Sequence, residues 1–241
     1  MTQKYNLISF GIMLTVWWIG SLIFPPLVVP SIKMVGISMM RILSSASLRF
    51  QIILTLERLL ISLFFGNCFG FLIGYCAGVN VTFRKLVKPM IALLQVTPPV
   101  ALLIIAIMWF GFNGKPAIVI AVFAILPTIE ISVQEGILHI NPQLIQMGKT
   151  FKLSRELIFK NIVLPSLAPH IASGWKISLG IACKTVVMGE VLTTSTGIGG
   201  NISDARLNLE PESVIAWTII TIILFYCIDL FVKKLLKKGV N

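Results

Sequence analysis

Six apolar runs make up most of this sequence: residues 7–29, 52–79, 90–110, 117–133, 162–192 and 214–232. A helix needs about 20 such residues to cross the hydrocarbon core of a bilayer. In hydrocarbon the backbone N–H and C=O groups must pair within the chain, and a long, uniformly apolar run achieves this as a helix. Only 12% of the residues are charged and the mean hydropathy is +0.94, whereas soluble proteins carry about 25% charged residues. The expectation is an all-α polytopic membrane protein with six transmembrane helices. Residues 1–241 form one transmembrane domain, with no internal repeat and no soluble domain. Between the first two runs, Lys33, Arg41 and Arg49 alternate with Ile37, Met40, Ile42 and Leu43, which reads as a surface helix.

The net charge is +11. In a soluble protein that would suggest nucleic acid, but here the cations fall in segments beside apolar spans, so topology explains them and no nucleic-acid partner is expected. With the N-terminus inside, the inner segments hold twelve cations: Lys4, Arg84, Lys85, Lys88, Lys149, Lys152, Arg155, Lys160, Lys233, Lys234, Lys237 and Lys238. The outer segments hold five: Lys33, Arg41, Arg49, Lys115 and Arg206. Arg58, Lys176 and Lys184 lie within spans. This bias predicts both termini in the cytoplasm. Lys4 and the following apolar run read as an uncleaved first span, because no small-residue cleavage site interrupts them.

Residues 134–161 form a polar interruption that the charge count places in the cytoplasm. Lys149, Lys152, Arg155 and Lys160 are interspersed with recurring apolar residues, as in short amphipathic helices held at a membrane surface. Such a segment gives something outside the bilayer a grip on the helices within it. The chain carries no G-x-x-x-x-G-K-[ST] phosphate loop. If ATP drives this protein, the nucleotide and its Mg²⁺ are held by another subunit. The four cysteines lie in apolar segments without metal-ligand spacing, and His139 and His170 have no catalytic partners in the sequence. No metal, no cofactor in this chain and no enzymatic activity are expected.

Within the spans, Gly66, Gly70, Gly74 and Gly78 recur every fourth residue and form a smooth ridge for close helix packing. Pro98 and Pro99 interrupt the third run, either as a structural kink or as a break lining a cavity. Lys176 is placed to snorkel from the inner end. Lys184 lies about 12 Å further along a helix rising 1.5 Å per residue, where a charge faces a pathway or another helix rather than lipid. Glu190, near the outer mouth, is either a structural acceptor for loop amides or part of a gate. Glu130 and Asp229 read as solvated span ends, and residues 193–213 as a polar loop.

These features resemble a known family, the membrane permease of bacterial ATP-binding-cassette importers, in the branch taking up sulfonates, taurine, nitrate, bicarbonate and some vitamin precursors. Gln95-Val96-Thr97-Pro98-Pro99 with Ile107-Met108-Trp109-Phe110-Gly111 is similar to the branch's Pro-Pro and Trp-Phe-Gly signature. Phe24-Pro25-Pro26-Leu27-Val28-Val29-Pro30-Ser31 resembles its segment ending in a Leu-Pro-Ser-Pro type motif. Met188-Gly189-Glu190-Val191-Leu192, Gly197-Ile198-Gly199-Gly200 and Asp204-Ala205-Arg206 resemble its outer-mouth segment. Asn141-Pro142 and Leu164-Pro165 bracket the family's coupling loop at matching spacing. Its usual Glu-Ala-Ala is replaced by Gln146, Met147 and Gly148, and its usual glycine by Lys152.

The resemblance implies an inner-membrane importer subunit. Its ATPase-coupling residues would be Asn141, Pro142, Gln146, Met147, Gly148, Lys149, Thr150, Phe151 and Lys152. Its translocation pathway would include Pro98, Pro99, Lys184, Met188 and Glu190. The implied partners are a second permease, as a homodimer, two ATPase subunits that bind ATP and Mg²⁺, and an external solute-binding protein. The alternative reading is an ion-coupled secondary transporter using Lys184 and Glu190.

Overall fold

The computed structural model describes residues 2–239, with side chains at residues 5, 8–232 and 234. Helices follow one another along the described residues, with no strand among them: α1 (Thr2–Ile23), α2 (Ile32–Ser44), α3 (Ala46–Val79), α4 (Val81–Val96), α5 (Pro99–Phe110), α6 (Lys115–Leu138), α7 (Pro142–Thr150) and α8 (Arg155–Ile158). A π-helical turn, Phe159–Val163, leads into α9 (Leu164–Thr193), followed by α10 (Gly197–Leu207) and α11 (Pro211–Gly239). Polar caps begin several of them. Ser31, Asn80, Asn141 and Ser154 each accept a first-turn amide of the helix that follows, satisfying donors that the helix itself leaves open. The π-helical turn sits immediately before Pro165, where a proline would otherwise crowd the carbonyl four residues back.

Four helical stretches are long and apolar enough to cross a membrane: Ala46–Val79, Lys115–Leu138, Arg155–Thr193 and Pro211–Val232. The pair α4–α5 makes a fifth if its two halves count as one span. Of the expected six spans, the one not counted among the described residues is α1 (Thr2–Ile23), where the described apolar stretch is Ile8–Ile23. The expected third span is not one continuous helix. It starts earlier, at Val81, and bends by 96° between Val96 and Pro99.

The core is the three-way contact of α3, α6 and α9. Leu59 and Leu63 meet Ile125, Ile129 and Val133, and all of them pack against Leu179, Ala182 and Val186. Between lipid-immersed helices the hydrophobic effect offers little drive, so close backbone approach has to supply the attraction. The glycine ridge of α3 does this along α6. A methyl group at Gly66 would lie 3.0 Å from Ile125 Cβ, at Gly70 2.8 Å from Ile129 Cβ, at Gly74 2.5 Å from the Glu130 carbonyl oxygen, and at Gly78 2.6 Å from Ile137 Cδ1.

Three sequence expectations change. The stretch read as a polar loop after α9 contains the helix α10, with Ile198, Gly199 and Gly200 buried. The α2 helix buries Val35, Ser38 and Ile42 against α11 while Ile37, Met40 and Leu43 stay exposed. Its packed face is therefore one set by Ser38, which hydrogen-bonds Ser213 at 3.1 Å. Glu130 and Asp229, expected at solvated span ends, are only 3% and 5% exposed. Glu130 is carried into the bundle because Gly74 lets the two backbones meet there.

Candidate functional site

The most densely bonded polar cluster joins α3, α9 and the start of α10. From α3, Arg58 donates to Glu190 of α9, Nη1 to Oε1 at 2.6 Å. Thr55 Oγ1 lies 3.0 and 2.9 Å from the two carboxylate oxygens. The first amides of α10 are each accepted by a side chain from another helix. Gly197 N–H goes to Gln51 Oε1 (2.7 Å), Ile198 N–H to Thr55 Oγ1 (2.7 Å) and Gly199 N–H to Glu190 Oε2 (2.9 Å). Arg58 completes the ring by donating to the Thr196 carbonyl (3.1 Å) and hydroxyl (2.8 Å). A helix N-terminus favours negative charge, and here Glu190 supplies it with a guanidinium on its other side.

Glycines make room for the ring. Gly197 has φ +87°, a conformation that other residues adopt at a cost. A side chain there would collide with the Glu190 carboxylate, and one at Gly114, in the α5–α6 turn, would collide with the Arg58 guanidinium. Glu190 is fully buried. It accepts the Gly199 amide, the structural role its sequence position left open, and in this conformation it lines no open passage. Gln51, Thr55 and Arg58 had been given no function from sequence. The available signal was Arg58 itself, a cation inside an apolar run, which nearly always faces a partner.

The second feature is the break between α4 and α5. Thr97 ends α4, its N–H and hydroxyl both bonding the Leu93 carbonyl at 3.0 and 2.7 Å. Pro98 and Pro99 begin the new direction. A cavity of about 340 Å³ opens against the break, with Gln95, Thr97, Pro99, Pro127, Thr128 and Ile181 in its wall. Of the residues expected along a pathway, Pro98 and Pro99 lie at this break, Lys184 is exposed on α9 one turn beyond Ile181, and Met188 is half-buried a further turn on. Lys184 makes no ion pair among the described residues, and Glu190 pairs with Arg58 rather than with it.

The third is the segment around α7. Gly148 is its buried residue, packed on Ile158 and Ile162. Asn141 caps the helix from Gln143 N–H at 2.9 Å, with Pro142 in its first turn. Leu144, Met147 and Phe151 are 40%, 49% and 72% exposed and share one helical face by their spacing. Gln146, Lys149 and Thr150 are exposed as well. The helix ends with Leu153 N–H on the Gly148 carbonyl and Lys152 N–H on that of Lys149, at 3.0 and 2.9 Å. This double closure places Lys152 at φ +53°, the left-handed position usually taken by glycine.

A bundle of apolar helices, one broken beside a cavity, with an apolar-faced helix on a polar segment, defines a polytopic membrane protein of the transport type. Residues 66–238 match the family described as binding-protein-dependent transport system inner membrane component, and the chain belongs to that family. It is 26% identical over 237 residues to the taurine transport system permease protein TauC of Escherichia coli, covering 95% of this chain and 86% of the relative. It is 25% identical to the putative aliphatic sulfonates transport permease protein SsuC of Bacillus subtilis, covering 95% and 83%. The nitrate import permease protein NrtB of Synechococcus elongatus is 34% identical over 163 residues, 67% of this chain and 58% of the relative. The fold is similar to a chain of the inward-facing MetNI methionine ABC transporter, with a TM-score of 0.64 and 18% identity, covering 82% of this chain and 99% of that one.

Proposed function

We propose that this chain is the membrane-spanning permease of an ATP-binding-cassette importer for a small organic or inorganic anion (a sulfonate, nitrate or bicarbonate) or a vitamin precursor. An external binding protein delivers the solute. Two ATPase subunits, which hold ATP and Mg²⁺, grip residues 134–161 from the cytoplasm. Two copies of the chain pair to enclose the pathway, and both termini face the cytoplasm, as the positive-inside bias favours.

The observation that carries this reading is the apolar face of α7. Leu144, Met147 and Phe151 are exposed on a helix outside the long apolar spans. An exposed apolar stripe on a surface helix is a docking face, and it falls in the coupling loop of the resembled family. The sulfonate and nitrate relatives support an anionic cargo, and Lys184 supplies a cation on the exposed side of α9.

The test is affinity purification of the tagged chain from mildly solubilised native membranes. Recovery of an ATPase and a solute-binding protein is the expected result. A permease reproducibly free of any ATPase, and able alone to drive uptake from a proton or sodium gradient, would replace this reading with an ion-coupled carrier.

A further inference from the structure

The turn that closes α7 carries more positive charge than its own structure can use. Between residues 141 and 161, Lys149, Lys152, Arg155 and Lys160 stand against a single acid, Glu156. All five are exposed, and none makes an ion pair among the described residues. Lys149, in the last turn of α7, suits its helix end. Two other cations sit where the backbone disfavours them. Lys152 is at φ +53°, and Arg155 opens α8, at the helix end that repels positive charge. Between Lys149 and Lys152, Phe151 is 72% exposed on a turn fixed by the Lys152 and Leu153 amides.

The bilayer does not reach this turn. The helical stretch Arg155–Thr193 has 39 residues, about 58 Å at 1.5 Å per residue, whereas a bilayer with its headgroups is about 40–45 Å thick. At the Thr193 end, α10 turns the chain directly into the apolar span of α11. That end therefore stays at the bilayer surface, and the surplus length lies at the Arg155 end. There α7 is seated, with Gly148 packed on Ile158 and Ile162, and its cations stand beyond the headgroups.

We propose that the surface receiving α7 is an acidic groove on the ATPase, with an apolar pocket for Phe151 and carboxylates facing Lys149, Lys152 and Arg155. This rests on the reading of α7 as the ATPase-docking helix and adds the chemistry of the surface it meets. An aromatic anchor seated in a pocket supplies affinity, while the charges around it steer the encounter and choose the partner. Because α7 has no acid of its own, a basic groove would meet only repulsion. An ATPase whose groove is basic is thereby turned away from this permease.

Charge reversal in the assembled complex tests the groove. The tagged chain is purified from native membranes in mild detergent, and the ATPase recovered per permease is followed as KCl rises from about 0.05 to about 0.5 M. Lys149→Glu/Arg155→Glu is compared with Lys85→Glu/Lys88→Glu, the same change in the other inner segment. The first pair is expected to lose about tenfold of its ATPase at low salt, with the second matching wild type, which sheds ATPase as salt rises. Equal loss in both pairs would mean that the cations act through topology, and it overturns the proposal, as does full recovery with both.

A second measurement needs no charge change. Carbodiimide joins amines to carboxylates in direct contact, and in the wild-type complex it is expected to link Lys149 or Lys152 to an Asp or Glu of the ATPase. A photoactivatable phenylalanine analogue at Phe151 then separates the two readings. Photoadducts on the ATPase without any carbodiimide link overturn the acidic groove and leave ATPase docking standing. Photoadducts on lipid alone overturn both.

Discussion

Arg58 and Glu190 are the residues on which the packing of α10 most depends. Removing one member of a buried ion pair leaves the other uncompensated, at a cost of about 3–5 kcal/mol. Arg58→Ala should therefore destabilise the protein more than Glu190→Gln, which keeps an acceptor for the Gly199 amide. Thermal unfolding followed by tryptophan fluorescence in detergent measures both, and an equal or larger loss for Glu190→Gln would contradict the arrangement. Lys152 is held in the left-handed region, which costs a non-glycine residue roughly 1–2 kcal/mol. Lys152→Gly is expected to preserve or strengthen ATPase binding, and Lys152→Val to weaken it, in a quantitative co-purification assay. Lys152→Glu separates charge from conformation: weaker assembly with Glu but not with Gly would mean that the docked ATPase surface disfavours a negative charge at this position.

Among the elements, the α3–α6 contact depends on absent side chains. Gly74→Leu places a branched chain where the Glu130 carbonyl already sits, whereas Gly36→Ala meets nothing within 4 Å. The first should abolish a monodisperse peak in size-exclusion chromatography and the second should leave it unchanged. The α4–α5 bend depends on absent donors. Restoring two N–H groups with Pro98→Ala/Pro99→Ala lets α4 run on, so spin labels at Leu93 and Met108 should move apart in a double electron–electron resonance experiment. An unchanged distance would mean that tertiary contacts, not the prolines, set the 96° angle.

For the whole molecule, the anion pathway makes a transport prediction. Lys184→Ala should raise KM for an anionic solute roughly tenfold, the worth of one charge-assisted hydrogen bond, while leaving ATPase assembly intact. Unchanged uptake would remove Lys184 from the pathway. Much of the architecture was legible in the sequence, because bilayer length and glycine spacing act locally along one helix. What escaped it depends on distant pairing. The helix α10 looked like a loop because its glycines and hydroxyls weaken local helix signals, and only Gln51, Thr55 and Glu190, supplied by other helices, satisfy its first amides. The bend at Thr97 was visible as prolines, but its angle was not. Glu130 looked like a span end because sequence position gives no depth, and the close approach at Gly74 draws it inward.

The Arg58–Glu190 pair also has a history within each molecule's synthesis. The two residues are 132 positions apart, so at ordinary translation speeds Arg58 emerges roughly ten seconds before its carboxylate exists. For that interval a guanidinium must sit beside or inside the membrane uncompensated, sheltered by water, lipid headgroups or the insertion machinery. The first half of the chain is thus born incomplete, and its final lateral docking waits for the second half to arrive.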